Sequence, residues 1–334
     1  MTCFNDLKLL KEGKTMATYI TRKILMLIPM LLVISFLIYA GIEIMPGDVV
    51  DALIPPDVAA NIGPEAMEEL RESMGLNDPF LIRYLHWLGN ILHGDFGYSL
   101  QSGVPVSQIL LNYLPATLEL SVVALIFSTI AGSLLGVVSA LKKGSIGDNI
   151  LTLFGMIGVA IPQFLFGLLC IVVFNFKLNW LPAGGRMLNA SQSFLERLPY
   201  LIMPALVLGL SMLAGVMRYS RSSMLDSMNR EYIKTARSKG LPEWRINLVH
   251  GLRVALTPVV VLVGFRLPML IGGAVVVEQV FQWPGIGQLF VTAVRSQNTP
   301  VVMIIGFFSV MLVLVASLLV DIMTAALDPR IKFS

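Results

Sequence analysis

Residues 24–42 read ILMLIPMLLVISFLIYAGI, 19 consecutive residues without a charge. A helix needs about 20 apolar residues to cross the hydrocarbon core of a bilayer. No small-x-small cleavage site follows this run, and a signal-peptide core is only about 7–15 apolar residues long. It therefore reads as a retained membrane anchor, entered directly after Arg22 and Lys23. Residues 1–15 are polar and basic; they form a flexible tail, or Met16 is the true start.

Working outward, uncharged runs recur at 120–141, 149–176, 198–217 and 296–320, and a run at about 254–280 is broken by Arg266. These predict six spans: 24–43, 116–141, 149–174, 200–217, 256–280 and 301–322. The composition agrees. Of 334 residues 56% are hydrophobic and 13% charged, with mean hydropathy +0.78, against about 25% charged residues in soluble domains. The expected class is an all-α integral membrane protein.

Six spans put both termini on one side. Segments 1–23, 142–148, 218–255 and 323–334 hold 17 Lys/Arg in 80 residues; segments 44–115, 175–199 and 281–300 hold 6 in 117. The positive-inside rule makes the first set cytoplasmic. The expectation is a multi-pass protein of the plasma (inner) membrane with both termini inside and a large extracytoplasmic loop, 44–115. Within that loop FLIRYLHWLGNIL (80–92) alternates aromatics and aliphatics. It suits either a helix along the outer interface or a small folded cap.

Several classes fall away. The net charge of +3 and the lack of a long basic run argue against nucleic acid. Cys3 and Cys170 cannot make a disulfide framework, and His86, His93 and His250 have no ligand-spaced neighbours, so no metal site is expected. Gly13-Lys14-Thr15 lacks the earlier glycine of a phosphate loop, since Lys8 stands there. The chain thus has no ATP site or cofactor of its own. No span contains a His and no two acids share a face, which leaves no catalytic residues for a membrane enzyme.

The cytoplasmic loop 218–255 is the most informative stretch. Ile233 and Ala236 are spaced as on one helix face, Gly240 can take a left-handed cap, and Pro242 forbids direct continuation. A second short helix starts near Glu243 and presents Trp244, Leu248 and Val249. The result is a helix–Gly turn–helix elbow under the membrane. On pattern alone an ordinary amphipathic linker on the membrane surface is the readier choice.

The run Lys234-Thr235-Ala236-x-x-x-Gly240 resembles the EAA loop of ABC-importer permeases. Ala236 and Gly240 match; Lys234 and Thr235 stand where that pattern has Glu and Ala. Leu252 fits its distal part, but Arg253 replaces a proline. The segments MPGD (45–48), GDFG (94–97), LPATLEL (114–120), GGAVVVEQVFQWPGIGQL (272–289) and LDPRI (327–331) point to the dipeptide/oligopeptide/nickel branch, from about Met16 to the end.

That resemblance implies six transmembrane helices of the type I ABC importer permease kind, with a coupling-helix loop between helices 4 and 5. It implies half of a pore, a second permease subunit as heterodimer partner, two cytosolic ATPases that use ATP and Mg, and an extracytoplasmic solute-binding protein. The implied solute is a di- or oligopeptide; nickel, glutathione and oligosaccharides are the alternatives within the class. A secondary transporter or channel is the alternative outside it. Glu231, Lys234, Thr235, Ala236, Gly240 and Leu252 become the expected ATPase-coupling residues.

Intramembrane ionisable groups are functional candidates by default. Arg266 lies ten residues past Leu256, about 15 Å along a helix, with Pro268 close by to bend it. It lines the path or pairs with an acid on a neighbouring helix. Gln163, beside Pro162 in the third span, lines the cavity or bonds a neighbouring helix. Glu278, near an outer helix end, is open to gate or structural roles, as is Glu119. Arg266, Gln163 and Glu278 are the candidate path residues.

Overall fold

A computed structural model of the protein describes residues 16–44, 50, 54, 63–186 and 193–327. MPGD (45–48), residues 1–15, and all of LDPRI but Leu327 lie outside the described residues. Every regular element described is helical, as the apolar runs require, since a lone segment in lipid can satisfy its backbone only by coiling.

Helix α1 (Met16–Glu43) is followed by α2 (Pro64–Ser73) and α3 (Phe80–Leu92) in the long first loop. Then come α4 (Val106–Leu141), α5 (Ile146–Ala160) and α6 (Gln163–Cys170), which runs on as a π-helical turn, Ile171–Lys177. Next are α7 (Phe194–Met228), α8 (Glu231–Ser238) and α9 (Glu243–Arg245). A second π-helical turn, Ile246–Gly251, leads into α10 (Leu252–Gly273), followed by α11 (Val275–Val280), α12 (Ile286–Arg295) and α13 (Thr299–Leu327). Among the described residues, four helices are individually long and apolar enough to span a membrane, and the count is six when each of two bent pairs is taken as one span.

The helices overrun the predicted spans. α4 starts at Val106, ten residues before 116, and α7 continues through Met228, well past 217. Apolarity reports where lipid ends, whereas a helix stops only where its hydrogen-bond ladder is broken, and Arg218 and Arg221 do not break it. The third span is bent by 103° between Gly158 and Gln163. Ile161 there takes an extended conformation (ψ 124°), as the residue before a proline prefers. The fifth span bends by 42° between Leu256 and Pro258, ahead of Pro268, where the sequence places the bend.

The core is the α4–α7 pair. Small residues line the α4 face turned to α7: Ser128, Gly132, Gly136 and Ala140 are all buried. A Cβ on Gly132 would lie 2.8 Å from Val216 Cβ, and one on Gly136 would lie 2.4 Å from the Met217 carbonyl oxygen. The backbones meet there because nothing projects between them. At the outer ends, Trp283 is fully buried and donates Nε1–H to the Ala116 carbonyl at 2.8 Å. The Gly184 backbone lies directly on that of Phe281, and Gly185 N–H bonds the Phe281 carbonyl at 2.7 Å. The outer loops thus cap the α4–α7 pair as one layer.

α3 packs one face against α1 and α13. Tyr84 and Ile91 are buried, the Tyr84 hydroxyl bonds Ser35 at 2.9 Å, and Trp87 meets Tyr39 and Phe307. Its other face leaves Leu81, Ile82, Leu85 and Leu92 exposed. At the opposite end Lys23 pairs with Asp321 at 2.7 Å, joining α1 to α13.

Candidate coupling elbow and translocation face

α8 carries Ile233 and Ala236 inward against Ile246, with Met228 and Leu241 packed around them. Gly240 sits at φ +73°. Its N–H bonds the Arg237 carbonyl at 2.9 Å, and Leu241 N–H bonds the Ala236 carbonyl at 3.4 Å. This pair of bonds is the Schellman cap, in which a left-handed residue turns the chain back on the helix end. Pro242 then stands as the N-cap of α9. Arg237 closes the turn on Glu243 with contacts of 2.8 and 3.3 Å and holds that carboxyl below its ordinary pKa.

The elbow is tied to the bundle from above. Ser227 Oγ donates to the Gly251 carbonyl at 3.0 Å and also meets the Tyr232 hydroxyl. Ser223 Oγ donates to the Ala255 carbonyl at 2.8 Å. α7, α8 and the start of α10 are therefore joined at three points.

The six expected coupling residues divide into three groups. Glu231 and Lys234 pair on the exposed face at 2.7 Å, and Thr235 bonds back to the Glu231 carbonyl. Ala236 and Gly240 shape the elbow from within. Leu252 is not on the elbow but packs with Met224, Val137 and Ala255 at its root. Trp244, Leu248 and Val249 are exposed together beside the elbow, the group expected on the second helix.

In the membrane, Gln163 Nε2 donates to Ser211 Oγ at 2.8 Å. The pair borders an open cavity of about 100 Å³ at the broken third span, lined otherwise by apolar side chains of α5, α6 and α7. Arg266 reaches from α10 across to Gly215; a Cβ there would stand 2.3 Å from its Nη2, so residue 215 must lack one. Gly215 lies eight residues, about 12 Å, above Ser223 on α7. From the cavity downward, Ser211, Gly215, Arg218, Ser222 and Asp226 recur at helical spacing, and each is at least partly exposed. These five positions carry no apolar side chain, and Tyr219 and Leu225 flank them.

Glu278 sits elsewhere. It is fully buried, accepts from Thr117 Oγ1 at 2.7 Å and from Gln288 N–H at 2.9 Å, while Thr117 in turn accepts from Ile286 N–H at 2.8 Å. Gly285 and Gly287 pass so close that a Cβ on either would collide with its carboxylate. The fully buried carboxylate holds the 283–288 turn onto α4. Glu278→Ala is expected to strand the Thr117 hydroxyl and the Gln288 N–H, at about 1–3 kcal/mol for each unsatisfied group. Thermal unfolding of the purified protein checks this, with Glu278→Gln retaining more stability than the alanine variant.

Sequence reasoning missed three features. Arg186 makes two contacts to Glu119, 3.0 and 2.6 Å, and lies over the Trp283 ring. This supplies Glu119 with a partner from the outer loop. Asp148 is buried beneath Arg221, which bonds both its oxygens at 2.9 and 2.8 Å, with Gly144 N–H at 3.0 Å. Only the Gly144-to-Asp148 spacing at a helix start hinted at it. Gly215 carried no local signal, because its constraint comes from Arg266.

Comparison with known proteins agrees with this architecture. Residues 16–121 match the N-terminal family of binding-protein-dependent transport system membrane components. The chain is 43% identical over 320 residues to the oligopeptide transport system permease protein AppB of Bacillus subtilis, covering 95% of this chain and 100% of that one. It is 35% identical over 336 residues to the di/tripeptide transport system permease protein DppB of Pseudomonas aeruginosa, covering 95% and 99%. It is 33% identical over 319 residues to the glutathione transport system permease protein GsiC of Escherichia coli, covering 95% and 100%. With residues 132–333 matching its main domain, the chain belongs to the family of binding-protein-dependent transport system inner membrane components, the permease subunits of ABC importers.

Proposed function

We propose that this permease carries short peptides inward, that its α8–α9 elbow receives the work of cytosolic ATPases, and that the polar face of α7 lines the cytoplasmic half of the passage. The relatives are named for oligopeptides, di/tripeptides and glutathione, all short amide-linked chains. In this reading the chain pairs with a second permease. Two ATPases bind ATP and Mg and receive the elbow, with Leu252 at its root, in a groove of their own surface, and an extracytoplasmic binding protein delivers the solute. Both termini lie in the cytoplasm, by the distribution of Lys and Arg.

The observation that carries the passage is the run Ser211, Gly215, Arg218, Ser222 and Asp226 with Arg266 above it. Polar side chains within a membrane face a bundle interior or a water-filled cavity, not lipid. Gln163, at the top of the run, joins it through Ser211.

The test is thiol access. In an importer freed of other cysteines, Ser222→Cys is expected to react with an impermeant maleimide from the cytoplasmic side, and the reaction to block uptake. Leu165→Cys, on an exposed apolar flank of α6, should leave uptake unaffected. An unreactive thiol at position 222, or one whose modification leaves uptake intact, rules the passage out.

A further inference from the structure

Arg266 lays its guanidinium against Gly215, and Arg218 stands three residues further along the same face of α7. Among the described residues no acid pairs with either. The acid on the same face, Asp226, is eight residues below Arg218, about 12 Å along the helix. Two guanidiniums on neighbouring turns of one polar face, one of them within a span, are costly unless an anion completes the site. The α7 backbone keeps room for one of them, since Gly215 alone admits the Arg266 head group. Gln163 and Ser211, one turn nearer the outside, offer an amide and a hydroxyl but no charge.

We infer that Arg266 and Arg218 form a carboxylate-binding station in the passage, where the free C-terminal carboxylate of a transported peptide is held between the two guanidiniums. A planar guanidinium fork matches a carboxylate in two parallel hydrogen bonds, and a second cation beside it secures the charge without fixing the peptide's side chains. The station therefore recognises what all short peptides share and ignores what distinguishes them. The inference rests on the passage proposed above.

The experiment uses the complete importer in liposomes with trialanine and its C-terminal amide, each supplied at equal occupancy of the binding protein. The expected result is uptake of the free acid at least about tenfold faster than of the amide, a difference of one factor of ten in effective affinity. Arg266→Gln should slow the acid to the rate of the amide and leave the amide unchanged. Arg266→Lys should keep part of the preference. If Arg266→Gln fails to accumulate, Arg218→Gln, at an exposed position, provides the same comparison. Equal uptake of acid and amide by the unmodified importer overturns the inference, as does a preference untouched by either substitution. Loss of the second permease from the purified Arg266→Gln complex also overturns it, by showing that a partner acid fills the site. A preference that follows the content of anionic phospholipid rather than the peptide terminus does so too. Uptake blocked by labelling the Ser222→Cys variant, with no preference for the acid, leaves the passage standing and removes only the station. A silent Ser222→Cys variant removes the passage itself.

Discussion

Replacement of Gly240 by valine is expected to leave the chain inserted in the membrane and to abolish both uptake and solute-stimulated ATP hydrolysis by the assembled importer. The argument is conformational rather than steric. Nothing lies within 4 Å of where a Cβ on Gly240 would stand, so no neighbour is pushed aside. The residue holds φ +73°, where an L side chain costs about 1–2 kcal/mol and a β-branched one fits worst. To escape, the chain must abandon the bonds from Gly240 and Leu241 to the end of α8. The elbow then loses its fixed angle, and a motor pushing on it bends it instead of moving the bundle. Asn tolerates the left-handed region, so Gly240→Asn should keep most of the transport that Gly240→Val loses. Full transport by the valine variant refutes the elbow's role.

Gly136→Val is expected to act earlier, on the folded bundle itself. Here a Cβ would stand 2.4 Å from the Met217 carbonyl oxygen, 2.7 Å from Ser220 Cβ and 3.0 Å from the Arg221 nitrogen. Two of these three are backbone atoms and cannot swing away. Overpacking a core costs about 1–3 kcal/mol, and more where backbone must move. The same displacement would also pull Arg221 from Asp148. We expect a several-fold drop in monodisperse importer recovered from the membrane and a lower melting temperature, larger than any effect of Gly89→Ala. Gly89 lies within α3 with nothing near its Cβ position, so alanine there should be neutral or stabilise by up to about 1 kcal/mol.

These two glycines mark how much of the molecule is legible in its sequence. Gly240 can be read from its neighbours in the chain, because a cap is a local device: an apolar face ends and a proline follows two residues later. Gly136 belongs to a contact with residues more than 80 positions away in sequence, and nothing in its own segment says which helix comes so near. The spans are legible because lipid imposes a run of apolar residues. Their ends are not, since α7 runs on past Met217 with arginines and serines that suit a helix as well as a loop.

The site divides in the same way. That Ala236 shares an inward face with Ile233 follows from helical spacing. Glu278 groups with Arg266 and Gln163 in the sequence because all are polar within apolar segments, yet it is sealed against Thr117 and the turn at 285–288. A carboxylate that holds a loop and one that meets solute look alike until the chain is folded. The polar run from Ser211 to Asp226 falls, by hydropathy, partly in a span and partly in a loop, so its continuity stays hidden until α7 proves to be one helix.

That unbroken α7 has a mechanical consequence. Its tightest point against α4 lies around Val216, twelve residues from its lower end and 22 from its upper end, or about 18 and 33 Å at 1.5 Å per residue. Rocking about such a fulcrum would return any sideways push from below as an opposite swing above, nearly twice as wide. A small stroke at the cytoplasmic face would thereby open or shut the far mouth, with the gearing set by where two glycines let the rods touch.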